Sequence, residues 1–182
     1  IALVENPNLT AEELCQYVLA PDFPTGGVLY RYDQVKNPLT GAVERIDAVR
    51  QMYAHGRGRV VVEGSTHFEE ASRGDRTAII ITELPYLVNK ATLVEKIADL
   101  VKEDRLDGIS DLRDESDRDG MRIYVEVKKD ANPHKVLNRL LKLTPLRSAF
   151  SLNMLALVDG QPDRKSTRLN SSHVSESRMP SS

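Results

Sequence analysis

Two short basic segments carry the residues best suited to chemistry in this sequence. Gly56-Arg-Gly-Arg59 places two guanidinium groups on a permissive backbone where a helix gives way to a strand. Such a corner can approach phosphates closely, and arginine grips their oxygens through paired N–H donors. Asn89 and Lys90 open a predicted helix, where free N–H groups and the positive end of the dipole favour phosphate. The structural alternative for both is a solvated turn and an ordinary cap. Arg57, Arg59, Asn89 and Lys90 are therefore the candidate phosphate contacts.

The other constellations read as structure. Glu115-x-Asp117-x-Asp119-Gly120, with Glu126 further on, has the spacing of a calcium-binding loop, but that motif needs flanking helices. Met121 to Val127 alternates instead as a strand, so a charged hairpin turn is expected, with Glu126 facing outward. His55, His67 and His134 share no metal-ligand spacing. No nucleophile stands beside a base, so no residue is assigned a catalytic or metal-binding role. The single cysteine, Cys15, excludes an internal disulfide and lies on the apolar side of a short helix, where a buried thiol is expected.

Composition sets the frame for these groups. The chain has 182 residues, 40% hydrophobic and 29% charged, with a net charge of −2, as in a soluble globular protein. No apolar run approaches the roughly 20 residues that span a bilayer, and no secretory leader pattern is present. Ile1 to Val4 reads like the inside of a strand, as if the chain began within a longer protein. From Asp163 the composition shifts to a serine-rich tail. Asp163 to His173 and Ser177 to Ser182 are what the constant blocks of a common sequencing-library adapter encode, with Val174 to Glu176 in the place of a variable index. Residues 163–182 are accordingly read as disordered read-through and set aside. The remainder carries 21 basic and 25 acidic residues, so any nucleic-acid contact needs a local basic patch.

The elements that must position the basic groups follow from pattern. Thr10-Ala-Glu-Glu13 is a capping box opening a helix with Leu14, Tyr17 and Val18 on one face. Pro21-Asp-Phe-Pro-Thr-Gly-Gly27 is a stiff turn into Val28 to Tyr30, and Asn37-Pro-Leu-Thr-Gly41 is another turn. A helix from Asp47 to His55 carries Ile46, Val49, Met52 and Tyr53 inward, with Gly56 as its C-terminal cap. Arg59 to Glu63 and Thr77 to Leu84 read as strands joined through a polar stretch. Asn89 caps a helix with Leu93, Val94, Ile97, Leu100 and Val101 at helical spacing, and Gly108 ends it before a strand from Ile109 to Leu112. Asn132-Pro133 opens a helix with Val136, Leu137, Leu140 and Leu141 inward. Ala149 to Val158 reads as the last strand. The fold class is α+β: a two-layer sandwich with a ferredoxin-like βαββαβ core from Thr77 onward, preceded by helices and a β-hairpin.

One family carries these motifs in the same order. Pro21-Asp-Phe-Pro-Thr-Gly-Gly27, Gly56-Arg-Gly-Arg59, Glu83-Leu-Pro-Tyr86, Val88-Asn-Lys90, Asp111-Leu-Arg-Asp-Glu-Ser-Asp117, Gly120-Met-Arg-Ile123, Lys129-Asp-Ala131 and Asn153-Met-Leu-Ala-Leu157 together resemble the A subunit of DNA gyrase and its topoisomerase IV counterpart, from Ile1 to Pro162. The resemblance implies that residues 1–20 end a segment leading from a winged-helix domain, 21–158 form the tower domain, and 159–162 begin a coiled-coil arm. It implies an enzyme that cleaves both strands of one duplex through a tyrosine, passes another duplex and reseals the break. ATP and magnesium are then held on a partner B subunit, in a cytoplasmic A2B2 assembly on double-stranded DNA, with no membrane. The cleaving tyrosine is expected upstream of the capping box. Arg31-Tyr32 imitates the arginine–tyrosine pair of the family nucleophile, but Asp33 and Gln34 follow it, unlike that context. The stretch from Tyr30 to Arg45 looks longer than in the commonest members. In this setting Arg57, Arg59, Asn89 and Lys90 are expected to hold bent DNA by its backbone, without reading sequence. The reading from a different class is a ferredoxin-like regulatory or RNA-binding module, whose sheet here would offer only Tyr124 for base stacking.

Overall fold

A computed structural model describes residues 2–71, 74–153, 156–158 and 161–163. The elements in chain order are α1 (Ala2–Glu5), α2 (Ala11–Leu14), β1 (Val28–Tyr30), β2 (Tyr32–Lys36), β3 (Val43–Asp47), α3 (Ala48–His55), β4 (Arg57–Glu63), β5 (Thr66–Glu70), β6 (Thr77–Ile81), α4 (Lys90–Lys102), β7 (Ile109–Asp114), β8 (Ile123–Val127), α5 (Pro133–Leu143), β9 (Arg147–Asn153), β10 (Ala156–Val158) and β11 (Gln161–Asp163). They divide into two compact units. The first holds residues 2–20, 31–60 and the described residues from Ser151 on; the second holds Pro21–Tyr30 and Val61–Phe150.

The second unit is the expected sandwich. Its two long helices begin where their caps dictate: Asn89 accepts from the amides of Ala91 and Thr92, and Asn132 from those of His134 and Lys135, which satisfies donors that a helix start leaves free. Leu93, Ile97 and Leu100 of α4, with Val136, Leu140 and Leu141 of α5, are buried against Ile79, Ile81, Ile123 and Val125 of the sheet. The sheet runs β5-β6-β8-β7, all antiparallel. The order β6-β8-β7 is that of a split βαβ unit.

Three details depart from the sequence reading. The strand β5 lies inside a stretch read as a connection, and it pairs with β6 as a hairpin, with Phe68 opposite Ile79. The last strand of the βαββαβ order, β9, does not close this sheet. It joins β1 and β4 in a separate three-stranded sheet, and β5 takes the free edge. Finally, β8 is buried along its whole length rather than on one face. Tyr124 is 4% exposed and Glu126 6%, so Glu126 faces away from the helices as expected but not into water.

A close-packed turn precedes β1. The amide of Gly27 donates to Glu83 Oε2 at 2.8 Å, and Gly26 has φ +72° with no room for a Cβ beside the Glu83 carboxylate. Phe23, Tyr86 and Phe150 form a ring cluster with centroids 5.3 to 5.5 Å apart. The motifs Pro21–Gly27 and Glu83–Tyr86 thus lock onto each other.

In the first unit the capping box is present: the Glu13 amide donates to Thr10 Oγ1, and the Thr10 amide to Glu13 Oε2. The helix nevertheless stops at Leu14. Tyr17 and Val18 are exposed, at 67% and 52%, instead of facing inward, and Cys15 is half-buried. Residues 2–4, part of the stretch from Ile1 to Val4 expected as strand, lie in the helix α1. The strands β2 and β3 form a two-stranded ribbon closed by the Asn37–Gly41 turn, where Asn37 Oδ1 accepts from the amides of Leu39 and Thr40. Helix α3 starts at Asp47, which accepts from the Arg50 amide, and ends at Gly56 with φ +66°. The β10 and β11 strands pair with each other, Ala156 opposite Asp163. The rest of the tail read as adapter-encoded, 164–182, lies outside the described residues.

Candidate nucleic-acid interface

The position of Arg57 and Arg59 follows from the two glycines around them. Gly56 takes the left-handed conformation that ends α3, which only glycine adopts without cost. The chain then enters β4 at once, two residues before the predicted start. A Cβ on Gly58 would stand 2.8 Å from Cβ of Met52, so Gly58 lets the strand pass directly over the helix. Met52 itself is fully buried. Successive strand residues point to opposite sides; with Gly58 turned toward Met52, Arg57 and Arg59 share the outer side. Both are exposed, and neither has a carboxylate partner among the described residues. Two guanidinium groups with no bonded partner among the described residues, one strand repeat apart, are suited to neighbouring anionic oxygens.

Asn89 and Lys90 belong to the second unit and are differently disposed. Asn89 Oδ1 already takes the amides of Ala91 at 2.8 Å and Thr92 at 3.2 Å, so the helix start is capped by its own chain. Lys90 Nζ lies 2.8 Å from Asp114 Oδ2. That hydrogen bond, with a further one from Ser116, holds the Asp114 carboxyl down to about 2. A phosphate reaching Lys90 must compete with a carboxylate. The four predicted contacts therefore fall into one free pair and one engaged pair.

Several of the other charged groups are held in pairs. Between β7 and β8, Asp117 Oδ1 accepts from the amides of Asp119 and Gly120, which is a hairpin turn as predicted. Glu126 is bonded by Arg76 at 2.7 Å, and Arg76 also reaches Ser110. The Arg113 guanidinium sits 4.4 Å from the Tyr124 ring centroid. With Tyr124 buried beneath that cation, the outer sheet face presents no stacking platform of the RNA-recognition kind. Arg31 pairs with Asp47 at 2.8 Å, and Tyr32 opens the β2–β3 ribbon under the Arg45 guanidinium at 4.1 Å. A cleft of about 410 Å³ near α2 is lined by Thr10, Glu12, Cys15, Arg31 and Arg50 among others. Both its arginines are committed, Arg50 to Glu12 at 2.5 Å.

Comparison with known proteins decides the family. Residues 1–175 match the family described as the A subunit of DNA gyrase/topoisomerase IV. The chain belongs to that family. It is 48% identical over 163 residues to the DNA gyrase A subunit of Neisseria gonorrhoeae, covering 89% of this chain and 16% of the relative. It is 48% identical over 167 residues to the Synechocystis protein, covering 90% and 18%. With the chloroplastic/mitochondrial DNA gyrase A subunit of Arabidopsis thaliana the identity is 49% over 162 residues, covering 88% and 16%. The chain thus spans about a sixth of the length of these gyrase relatives. The family match also runs past Asp163 into the serine-rich stretch.

Membership in the family of gyrase and topoisomerase IV A subunits gives the collinear motifs a common physical content. Most are structural: the Gly26-Gly27 turn is tied to Glu83, and Lys129 pairs with Asp75. Within Asp111–Asp117, Asp114 holds Lys90. Arg57 and Arg59 are the motif cations left without such a task among the described residues. No described helix is long and apolar enough to cross a membrane. The sequence reading passed over one group in the first unit, the cations of the β2–β3 ribbon. Its only sequence signal is alternation of charge sign between faces, which cannot be read until the register is known.

Proposed function

We propose that this chain is the DNA-supporting part of a gyrase-type A subunit, holding duplex DNA by its phosphates through Arg57 and Arg59. The observation that carries the reading is the pair of exposed, unpartnered guanidinium groups on the outer side of β4, in a motif of the gyrase and topoisomerase IV family. Arginine donors form charge-assisted bonds to phosphate oxygens and release condensed counterions as they do so. Such contacts carry no base information. Bending a duplex costs several kcal/mol, and phosphate contacts away from a cleavage point help to repay it. Lys90 serves as a secondary contact, by exchanging Asp114 for phosphate at the start of α4, with Asn89 shaping that start.

In the whole enzyme, on this reading, double-strand cleavage, strand passage and supercoiling are carried out by an A2B2 assembly in the cytoplasm. The cutting tyrosine lies in another segment of the same polypeptide, and ATP and magnesium are held by the partner B subunit, so this segment alone is inactive. Gyrase is preferred to topoisomerase IV because the relatives at 48–49% identity carry the gyrase name. The test is the salt dependence of duplex binding by fluorescence anisotropy. Two lost phosphate contacts in Arg57→Ala with Arg59→Ala should weaken binding and lower the slope of log K against log salt by about 1.8. An unchanged slope would sink the assignment.

A further inference from the structure

We infer that the β2–β3 ribbon is a second contact to the phosphates of duplex DNA, made through one of its two faces; this rests on the DNA-supporting reading above. The register pairs Tyr32 with Asp47, Gln34 with Arg45, Lys36 with Val43, Asp33 with Ile46 and Val35 with Glu44. Directly paired residues point to the same side and alternate along each strand. One face therefore carries Tyr32, Gln34, Lys36, Val43, Arg45 and Asp47, and the other Asp33, Val35, Glu44 and Ile46. The charges are sorted: Lys36 and Arg45 lie on the first face, Asp33 and Glu44 on the second.

The one acid on the basic face is already engaged. Asp47 Oδ2 meets Arg31 at 2.8 Å, and its Oδ1 accepts the Arg50 amide at 2.9 Å as the cap of α3. Glu44, on the far face, takes the Asn37 side-chain amide at 2.9 Å. Lys36 and Arg45 have no carboxylate partner among the described residues. Arg45 is also held in advance, its guanidinium carbon over the Tyr32 ring at 4.1 Å from the centroid. A cation–π contact of this kind restrains the side chain without using up its N–H donors.

The occupant follows from charge and shape. Tyr32 and Val43 are 46% and 65% exposed, so the basic face is open, and a two-stranded ladder with little apolar cover gains from a partner. A two-stranded ribbon is the width that the major groove of B-DNA admits, about 12 Å. A polyanion on that side meets two cations, while the acidic side faces away from it. The ribbon cations, Lys36 and Arg45, lie on β2 and β3, so this contact is an addition to the one at the start of β4.

The test measures anisotropy of a mixed-sequence duplex with the full chain at several salt concentrations, with circular dichroism to check folding. Lys36→Gln with Arg45→Gln should flatten the salt slope by about 1.8, and Lys36→Gln alone, which disturbs no cation–π contact, by about 0.9. Lys135→Gln with Arg139→Gln removes the same charge from exposed positions on α5 and should leave the slope unchanged. Equal flattening by the α5 pair would reduce the ribbon effect to net charge and overturn the inference. A flat response to the ribbon variants, with the Arg57 and Arg59 variant still effective, overturns the ribbon contact and leaves the DNA-supporting reading standing. No binding of the unaltered chain at low salt overturns both.

Discussion

On the outer face of the four-stranded sheet, Glu69 is held by Arg122 through two bonds of 3.0 and 2.7 Å, and Arg122 reaches Glu115 as well. Glu126 is held by Arg76. At the start of β4, by contrast, Arg57 and Arg59 stand exposed, with no carboxylate to bind among the described residues. The two regions use the same residue types for different ends. Where an arginine is paired across a sheet it fixes register and covers Tyr124 or Glu126; where it is left unpaired, its donors remain available to an external anion. Pairing separates structural cations from available ones here, and among the available ones Arg57 and Arg59 are those that lie in a family motif.

Four measurements probe that contrast. The largest effect belongs to the core beneath the paired sheet: Leu140→Ala, at a fully buried position, should cost about 2–5 kcal/mol in denaturant unfolding. Next is Arg76→Ala, which leaves the buried Glu126 carboxylate without its cation. With Arg76 itself partly exposed, the loss should be roughly 2–3 kcal/mol, and a value near zero would mean that the pair does not organise this face. A third test uses pH. The Arg122 hydrogen bonds, followed by that of His67, hold the Glu69 carboxyl down to about 2 from an ordinary 4.5. The unfolded chain therefore takes up this proton first, and the stabilisation present above about pH 4.5 drains away as pH falls toward 2. Arg122→Ala should move the acid-unfolding midpoint to higher pH, read by circular dichroism. The smallest effect is expected for the unpaired residues: Arg57→Ala with Arg59→Ala should change stability by no more than about 0.5 kcal/mol while altering duplex binding. A large loss of stability there would erase the distinction.

Legibility in the sequence followed the range of the interactions involved. Helices α3, α4 and α5, the caps at Asn89 and Asn132, and the left-handed end at Gly56 were readable because each depends on neighbours within a turn or two; that Asp47 caps α3 and does not open it was not. Tyr17 and Val18 misled because helical spacing persists in the sequence beyond Leu14, where the helix stops. The strand β5 was missed because the chain between Glu63 and Thr77 was read only as a link through its polar stretch around Ser72 to Asp75; Glu69 acquires its role from Arg122, 53 residues away. Arg57 and Arg59 were found by type and spacing, but their availability was not visible, any more than the engagement of Lys90 by Asp114.

Residue type and local stereochemistry were enough to set the α+β class, the three longer helices, the collinear family motifs and the four candidate contacts, three of them cations. None of these needs a partner from far along the chain. Packing in three dimensions settled the rest: that β5 and not β9 completes the sheet, that Glu126 is buried, and which cations keep their donors free. Each of those outcomes depends on partners tens of residues apart, whose pairing is set by strand register and the burial it brings.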